Sequence, residues 1–442
     1  MPGRRASAIF FSNYFLLYAS FAVLTPYLQL YFKSRGFSAS RIGLLLGIVE
    51  LAGLAGPLLV ARLADARGSY RGLLVASLVA SAAAFAAVQF SSGLLAAAGL
   101  AAAIGFSYRS TTPLLDSSVS RSLPDPARQY GRFRVAGSVG FIVVSLVLQF
   151  SGVVSADSSW SILVAFCASA LLAAAAAGFL PAVPRTAPGL SAQAAPGSAP
   201  RSAGGSAGGS AGGSAGVPGT DRAFDRGFWA VIGIIFLGRF GVGAYYSFFS
   251  LYLRDTFGGG AAAAAAAGAA ATAGAAGHGG GPAALGGAVS LMWALGSVAE
   301  IGPMWFSGRL IARWGLRPVL LVSLLAISVR LSLFVVAPSL LVVGAAQLLH
   351  AFTFGTFHPA AVAYINAKVP AQRRGLGMAL YNAVGIGLAS FTASAVGGYI
   401  VEARGYVTLF LLYALVPLGA AVLLFTKAGR AGILDPWKPR PF

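Results

Sequence analysis

Ionisable side chains are scarce in this chain, and several of them interrupt long apolar stretches. Asp116 closes one stretch, within Pro113-Leu114-Leu115-Asp116-Ser117. Arg134 opens the next, within Tyr130-Gly131-Arg132-Phe133-Arg134-Val135-Ala136-Gly137-Ser138. Further on, Glu300, Arg330 and His350 each sit inside an apolar stretch of their own. Glu50, Arg109, Arg239 and His358 also lie in apolar sequence, with no role beyond lining or pairing that the sequence assigns. An acid and an arginine on adjacent helices can satisfy each other in low dielectric, and a solute that competes for them ties binding to conformation. A carboxyl or imidazole there can carry a proton if its affinity for the proton depends on its surroundings. Tyr14, Tyr18, Tyr245, Tyr246, Phe248 and Phe249 suit a cavity wall as well as they suit helix packing.

Other chemistries lack their residues. No Gly-x-x-x-x-Gly-Lys-Ser/Thr loop occurs, so ATP does not power this site. His-Glu-x-x-His and Cys-x-x-Cys are absent, and the single cysteine, Cys167, leaves no disulfide or cysteine metal site within one chain. The expectation is a protein that is not an enzyme, with no catalytic residue, no metal and no cofactor.

Such groups have to be positioned by elements suited to lipid. Of 442 residues, 57% are hydrophobic and 10% charged, with a mean hydropathy of +0.79. A soluble domain carries about a quarter charged residues. Twelve segments are long and apolar enough to span a bilayer, near 8–32, 42–62, 72–90, 93–117, 131–152, 160–181, 227–253, 285–306, 318–337, 339–365, 374–400 and 405–427. The fold class expected is an all-α membrane protein of twelve transmembrane helices in two six-helix halves. If the N-terminus is cytoplasmic, most of the 31 Lys and Arg fall on inside segments, and the outside segments keep only Lys33, Arg35, Arg41, Arg254 and Arg404. This positive-inside bias puts both termini in the cytoplasm. The net charge of +20 therefore reports orientation, and no nucleic-acid partner is needed.

Two low-complexity stretches divide the chain. Residues 182–226, with SAGG repeats from Ser202 to Gly216, read as a flexible cytoplasmic linker. Residues 258–281 are Ala and Gly with Thr272 and His278, and they read as a disordered external loop and not as a thirteenth span. The domains are then a half at 1–181, the linker, a half at 227–430 and a cytoplasmic tail at 431–442. The halves repeat each other: Ala61-Arg62-Leu63-Ala64-Asp65-Ala66-Arg67-Gly68-Ser69-Tyr70-Arg71 follows the second span, and Gly308-Arg309-Leu310-Ile311-Ala312-Arg313-Trp314-Gly315-Leu316-Arg317 follows the eighth.

That paired loop resembles the signature loop of the major facilitator superfamily. The resemblance implies a conformational latch at Asp65, Gly68, Arg71, Gly308, Arg313, Gly315 and Arg317, with Ala66 and Ala312 as departures from the pattern. Pro-Leu-x-Asp followed by Tyr-Gly-x-x-Arg-x-x-Gly-Ser resembles the phenylpropionate permease family. So do Ala244-Tyr245-Tyr246-Ser247-Phe248, Gly296-Ser297-Val298-Ala299-Glu300 and Leu349-His350-Ala351-Phe352-Thr353-Phe354. That family is related to sugar/proton symporters of the lactose permease type. The resemblance implies that Asp116 and Arg134 grip substrate, that Phe141 stacks on it, and that Glu300, Arg330 and His350 couple transport to protons. Tyr14, Tyr245 and Tyr246 join the expected substrate site. Thr353 stands where that type carries its proton-bearing acid, which leaves Glu300 as first choice for the proton and His350 as second.

The function so implied is a proton-coupled symporter importing a small organic solute, an aromatic acid of the phenylpropionate type, by alternating access. A sugar, oligosaccharide or nucleoside symporter is the alternative, and a drug/proton exporter a further one. The expected partners are a small-molecule solute, the proton and the lipid bilayer, with the chain working as a monomer. The Ala- and Gly-heavy composition fits a bacterial source and its cytoplasmic (inner) membrane.

Overall fold

The computed structural model describes residues 3–181, 224–258, 288–337, 339–370 and 373–426. The expected linker, external loop and tail lie almost wholly outside these residues. The described chain is helical nearly throughout, because in lipid every backbone amide must find its partner within its own segment.

Six helices form the N-terminal half: α1 (Arg4–Ser34), α2 (Ala39–Arg67), α3 (Tyr70–Phe90), α4 (Leu94–Ser122), α5 (Pro126–Ser151) and α6 (Ser159–Ala177). The C-terminal half opens with α7 (Arg226–Phe257), α8 (Ala288–Trp314) and α9 (Leu316–Val335). Its tenth pass is broken into α10 (Leu340–Leu348), α11 (His350–Thr353) and α12 (Phe357–Lys368). The eleventh runs through α13 (Arg374–Leu380), a π-helical stretch (Tyr381–Leu388) and the first part of α14 (Ala389–Leu423). At Gly405, φ 80° and ψ 178° bend α14 sharply, and the twelfth pass follows.

Nine of the described helices are long and apolar enough to cross a membrane, one of them the 50-residue Arg374–Leu423 that holds two passes. The two further passes are α4 and α8, whose apolar character is diluted by Arg109, Asp116 and Arg121 and by Glu300, Arg309 and Arg313. The path is consistent with twelve passes, and the least apolar helices are those that carry the ionisable groups. Trp160, Trp229, Trp305 and Trp314 are exposed. They suit an aromatic belt facing the lipid interface.

Within the N-terminal half, α1 packs on α5 and α6, and α3 on α4 and α6. In the C-terminal half, α14 packs on α7 and α9. Across the halves, α2 meets α14 and α5 meets α8. Lipid solvates apolar side chains as well as protein does, so close backbone approach drives this packing. Gly43 of α2 shows it: a Cβ there would run into the Ser394 carbonyl and come within 2.9 Å of the Gly398 Cα.

The hydrogen bonds that cross between the halves gather at the end opposite the chain termini. The Ser40 amide donates to Glu402 Oε2 at 2.8 Å, and Arg254 Nε to Asp157 Oδ1 at 2.7 Å. The Leu291 amide donates to Gln149 Oε1 at 3.2 Å, and the hydroxyls of Tyr27 and Ser290 lie 2.7 Å apart. That end of the bundle is closed.

The loops expected to act as latches are built unequally. Gly68 takes φ 62° to end α2, and Gly315 takes φ 84° before α9, so both turns need glycine. Asp65 accepts from Arg121 at 2.9 Å and from Tyr70, and Arg71 donates to the Leu180 carbonyl at 3.3 Å. In the second copy Ala312 offers no carboxylate, Gly308 and Arg313 are exposed, and Arg313 has no ion pair among the described residues. The C-terminal half is tied elsewhere: Asp225 caps α7 by accepting from the Phe228 amide at 2.8 Å and from Lys368 at 2.9 Å. Slight burial raises the Asp225 carboxyl, but the Lys368 and Phe228 hydrogen bonds outweigh it, and Asp225 titrates below its usual value.

Candidate functional site

Helices α1, α4 and α5 build the N-terminal cluster. Tyr14 and Tyr18 stand one turn apart on α1, so they share a face. The Tyr14 hydroxyl donates to Asp116 Oδ1 at 2.7 Å. Arg134 Nε lies 4.0 Å from the same oxygen, a loose pair with both side chains about one-third exposed. Arg134 also donates to the Tyr18 hydroxyl, and its guanidinium lies 4.4 Å from the Tyr18 ring centroid. Gly137, one turn along α5 from Arg134, leaves room for this. A Cβ there would come within 2.7 Å of the Tyr18 ring and 3.1 Å of an Arg134 nitrogen. Phe141 follows on α5, partly buried against the core.

The C-terminal cluster is assembled by α8, α9 and the break in the tenth pass. Arg330 is 2% exposed, and its guanidinium lies 3.8 Å from the Tyr245 ring centroid. It donates to Gln347 Oε1 and, at 3.3 Å, to Thr353 Oγ1, and it faces His350 Nδ1 at 2.8 Å. The other imidazole nitrogen, His350 Nε2, lies 3.4 Å from Glu300 Oε2. The order is therefore Glu300, His350, Arg330, with the imidazole between the acid and the guanidinium. Arg330 is buried, whereas the Glu300 side chain is 25% exposed, so the chain of groups runs from interior to accessible surface.

The break has a local cause. Helical bonding lapses between α11 and α12: the Gly355 amide reaches back five residues to the His350 carbonyl at 3.5 Å, and Pro359 in the first turn of α12 has no N–H for the Gly355 carbonyl. Breaks of this kind in a spanning helix are tolerated where the freed backbone is buried in protein or lines a cavity. The rings of His350, Phe354 and His358 stack along the broken pass, with centroid spacings of 5.9 and 5.7 Å. His358 Nδ1 meets the Tyr381 hydroxyl at 2.6 Å, on the π-helical stretch.

Across the interface, α5, which carries Arg134, packs on α8, which carries Glu300. The two clusters thus face each other, one from each half. Beside them is a cavity of about 300 Å³ between the halves, walled by Phe21, Tyr108, Tyr246 and Phe354 among others. Of the substrate residues expected from sequence, Tyr246 lines this cavity. Asp116, Arg134, Phe141, Tyr14 and Tyr245 lie outside its lining, and Tyr245 is instead buried under Arg330. Tyr18, which the sequence left open between cavity wall and helix packing, belongs to the first cluster, and Gln347, which it did not single out, to the second. Tyr18 is one turn from Tyr14, and Gln347 is three residues before His350, so helical spacing alone could have found both.

The comparisons with known proteins agree with this architecture. The chain is 25% identical over 420 residues to the maltose permease of Geobacillus stearothermophilus, covering 94% of this chain and 93% of that one. It is 27% identical over 418 residues to the "Probable 3-phenylpropionic acid transporter" of Escherichia coli (strain K12), covering 93% and 95%. Among solved structures, a mutant of the nucleoside transporter NupG superposes with a TM-score of 0.76 at 15% identity, covering 95% of this chain and all of that one, a likeness of fold. The family model described as "MFS_1 like family" matches residues 9–277 and 283–412, so the chain belongs to that family and is a multi-pass membrane transporter of the major facilitator type, not an enzyme.

Proposed function

We propose that the chain is a proton-coupled symporter that imports a small organic solute, an aromatic acid of the phenylpropionate type, by alternating access. The observation that carries this reading is the sequence of groups Glu300, His350 and Arg330, which links an accessible acid to a buried cation at a helix break. With Thr353 offering only a hydroxyl, Glu300 is the proton carrier. Asp116, Arg134, Phe141 and the tyrosines of α1 form the opposing face, and Tyr246 joins that face to the cavity where the solute sits, with Tyr245 behind it under Arg330. Both termini lie in the cytoplasm of a bacterium whose inner membrane holds the protein, and the closed end is then the outer one. The conformation is inward-facing, and a single chain suffices for the cycle.

Uptake of 3-phenylpropionate into proteoliposomes under an imposed pH gradient tests this. Accumulation should follow the gradient, and Glu300→Gln should abolish uphill accumulation while leaving exchange. Uptake indifferent to the gradient would remove proton coupling, and gradient-driven efflux would mark a drug/proton exporter. A second reading has its own observation: Asp116, held by Tyr14 and loosely by Arg134, is an acceptor suited to hydroxyl groups. A maltose permease stands among the relatives and a nucleoside transporter among the structural neighbours, so sugars and nucleosides belong in the same assay.

A further inference from the structure

The cavity between the halves carries a set of charges that the clusters above do not use. Its ionisable lining, tyrosines apart, is Glu50 on α2, Arg109 on α4 and Arg239 on α7. Glu50 and Arg109 form an ion pair within the N-terminal half, with side chains 26% and 43% exposed. Arg239 comes from the other half and has no carboxylate partner among the described residues. Its guanidinium lies 4.9 Å from the Tyr246 ring centroid, and its Nε is buried with no hydrogen-bond partner. Two guanidiniums against one carboxylate leave the lining with one positive charge in excess.

A buried guanidinium nitrogen without an acceptor is costly, and a carboxylate is the group whose geometry matches it. The rest of the wall fits the remainder of such a ligand. Phe21, Tyr108, Phe354 and Tyr246 contribute aromatic rings to the wall, with Leu46 and Val49 as apolar filling. The volume of about 300 Å³ is at the small end of the range for ligand sites, roughly 300–1,000 Å³, which favours a compact solute.

We infer that this cavity is an anion site in which Arg239 binds the carboxylate of a small aryl or alkyl monocarboxylate, with Glu50 holding Arg109 as a guard on the opposite wall. This rests on the reading of the protein as a carrier of organic acids and names the residue that selects the acid. The bound carboxylate pairs with the Arg239 guanidinium where it borders the cavity and cancels the excess charge. Because Arg239 belongs to one half and the Glu50–Arg109 pair to the other, an anion lodged between them links the two halves directly.

The test is a thermal-shift titration of the purified full-length protein at pH 7 with 3-phenylpropionate and with the uncharged 3-phenylpropan-1-ol. The wild type should bind the acid roughly 10- to 100-fold more tightly than the alcohol, the range of a charge-assisted hydrogen bond. Arg239→Gln should remove that preference by weakening the acid alone, and Arg239→Lys should restore part of it. Glu50→Gln, which frees the Arg109 charge, should tighten the acid. Acid binding unchanged in Arg239→Gln would overturn the inference while leaving the carrier of acids intact. If Arg239→Gln does not fold, acid affinity unchanged or weakened by Glu50→Gln overturns it equally. A wild type stabilised by maltose or uridine and by neither probe would sink the organic-acid reading itself.

Discussion

Asp157 and Arg254 hold the two halves together at the closed end: Asp157 Oδ1 lies 2.7 Å from Arg254 Nε and 2.6 Å from Arg254 Nη2. The pair is largely open to solvent on the acid side, so it is worth about 0.2–1 kcal/mol. Replacing Arg254 by Gln should therefore shift the population toward the state open at that end by up to about fivefold. In a Cys167→Ser background, a cysteine placed at Ser290 should then react faster with an impermeant thiol reagent from that side. An unchanged rate would mean that Ser40, Glu402, Gln149 and Leu291 keep the end closed without it.

Gly137 should tolerate no side chain. Gly137→Ala brings a methyl against Tyr18 and Arg134, so solute binding should weaken severalfold while the protein still folds. Gly131 on the same helix has nothing within 4 Å of an added Cβ. Gly131→Ala should therefore leave transport unchanged and stabilise the helix by up to about 1 kcal/mol. Equal effects of the two substitutions in a binding assay would separate Arg134 from the solute.

Thr353 separates two accounts of the proton. Its hydroxyl accepts from Arg330 at 3.3 Å and lies 3.1 Å from His350 Nδ1. Thr353→Val should cost about 0.5–1.5 kcal/mol of stability for the lost hydrogen bond. If Glu300 carries the proton, accumulation driven by the pH gradient should survive the change. Loss of gradient response with stability intact would move the proton onto the groups around Thr353.

The pH dependence of stability should report Asp225. Its carboxyl titrates below the usual range in the folded protein, so its contribution is full above about pH 4, the unfolded value, and is lost as pH falls through the lower folded value. Asp225→Ala should lower stability at pH 7 by about 1 kcal/mol through the lost helix cap. The gap between variant and wild type in chemical denaturation should narrow as the pH drops below about 4. A gap that is constant down to acid pH would mean that the Lys368 contact adds nothing.

The spanning helices were legible because lipid imposes one requirement, a run of apolar residues about 20 long, that local sequence displays directly. Even α4 and α8, with their internal charges, were placed by length and by the parity of basic loops. Asp116 and Arg134 were joined through the resemblance to the lactose permease type, and an acid and an arginine on adjacent helices suit such a pairing in low dielectric. The insertion of His350 between Glu300 and Arg330 was hidden, since it depends on how three helices are rotated about their axes. The break after Thr353 went unread although Pro359 marks it: its ring and missing N–H fall on the carbonyl of Gly355, four residues before, at a glycine that tolerates the lapse. Arg239 shares the limit met at His350. Its sequence neighbours resemble those of any apolar helix, and what sets it apart is the empty space it faces.

The meeting of Gly43 with Ser394 and Gly398 has a consequence for how fast the molecule can cycle. A seam made of bare backbone has few rotamers to freeze when it shuts and little interlocked bulk to tear apart when it opens. Such strips present little apolar surface when they part, so separation meets a barrier set by a handful of polar contacts and not by greasy area. Temperature alone can then rock such a joint, and a bound ligand need only bias a motion that already occurs.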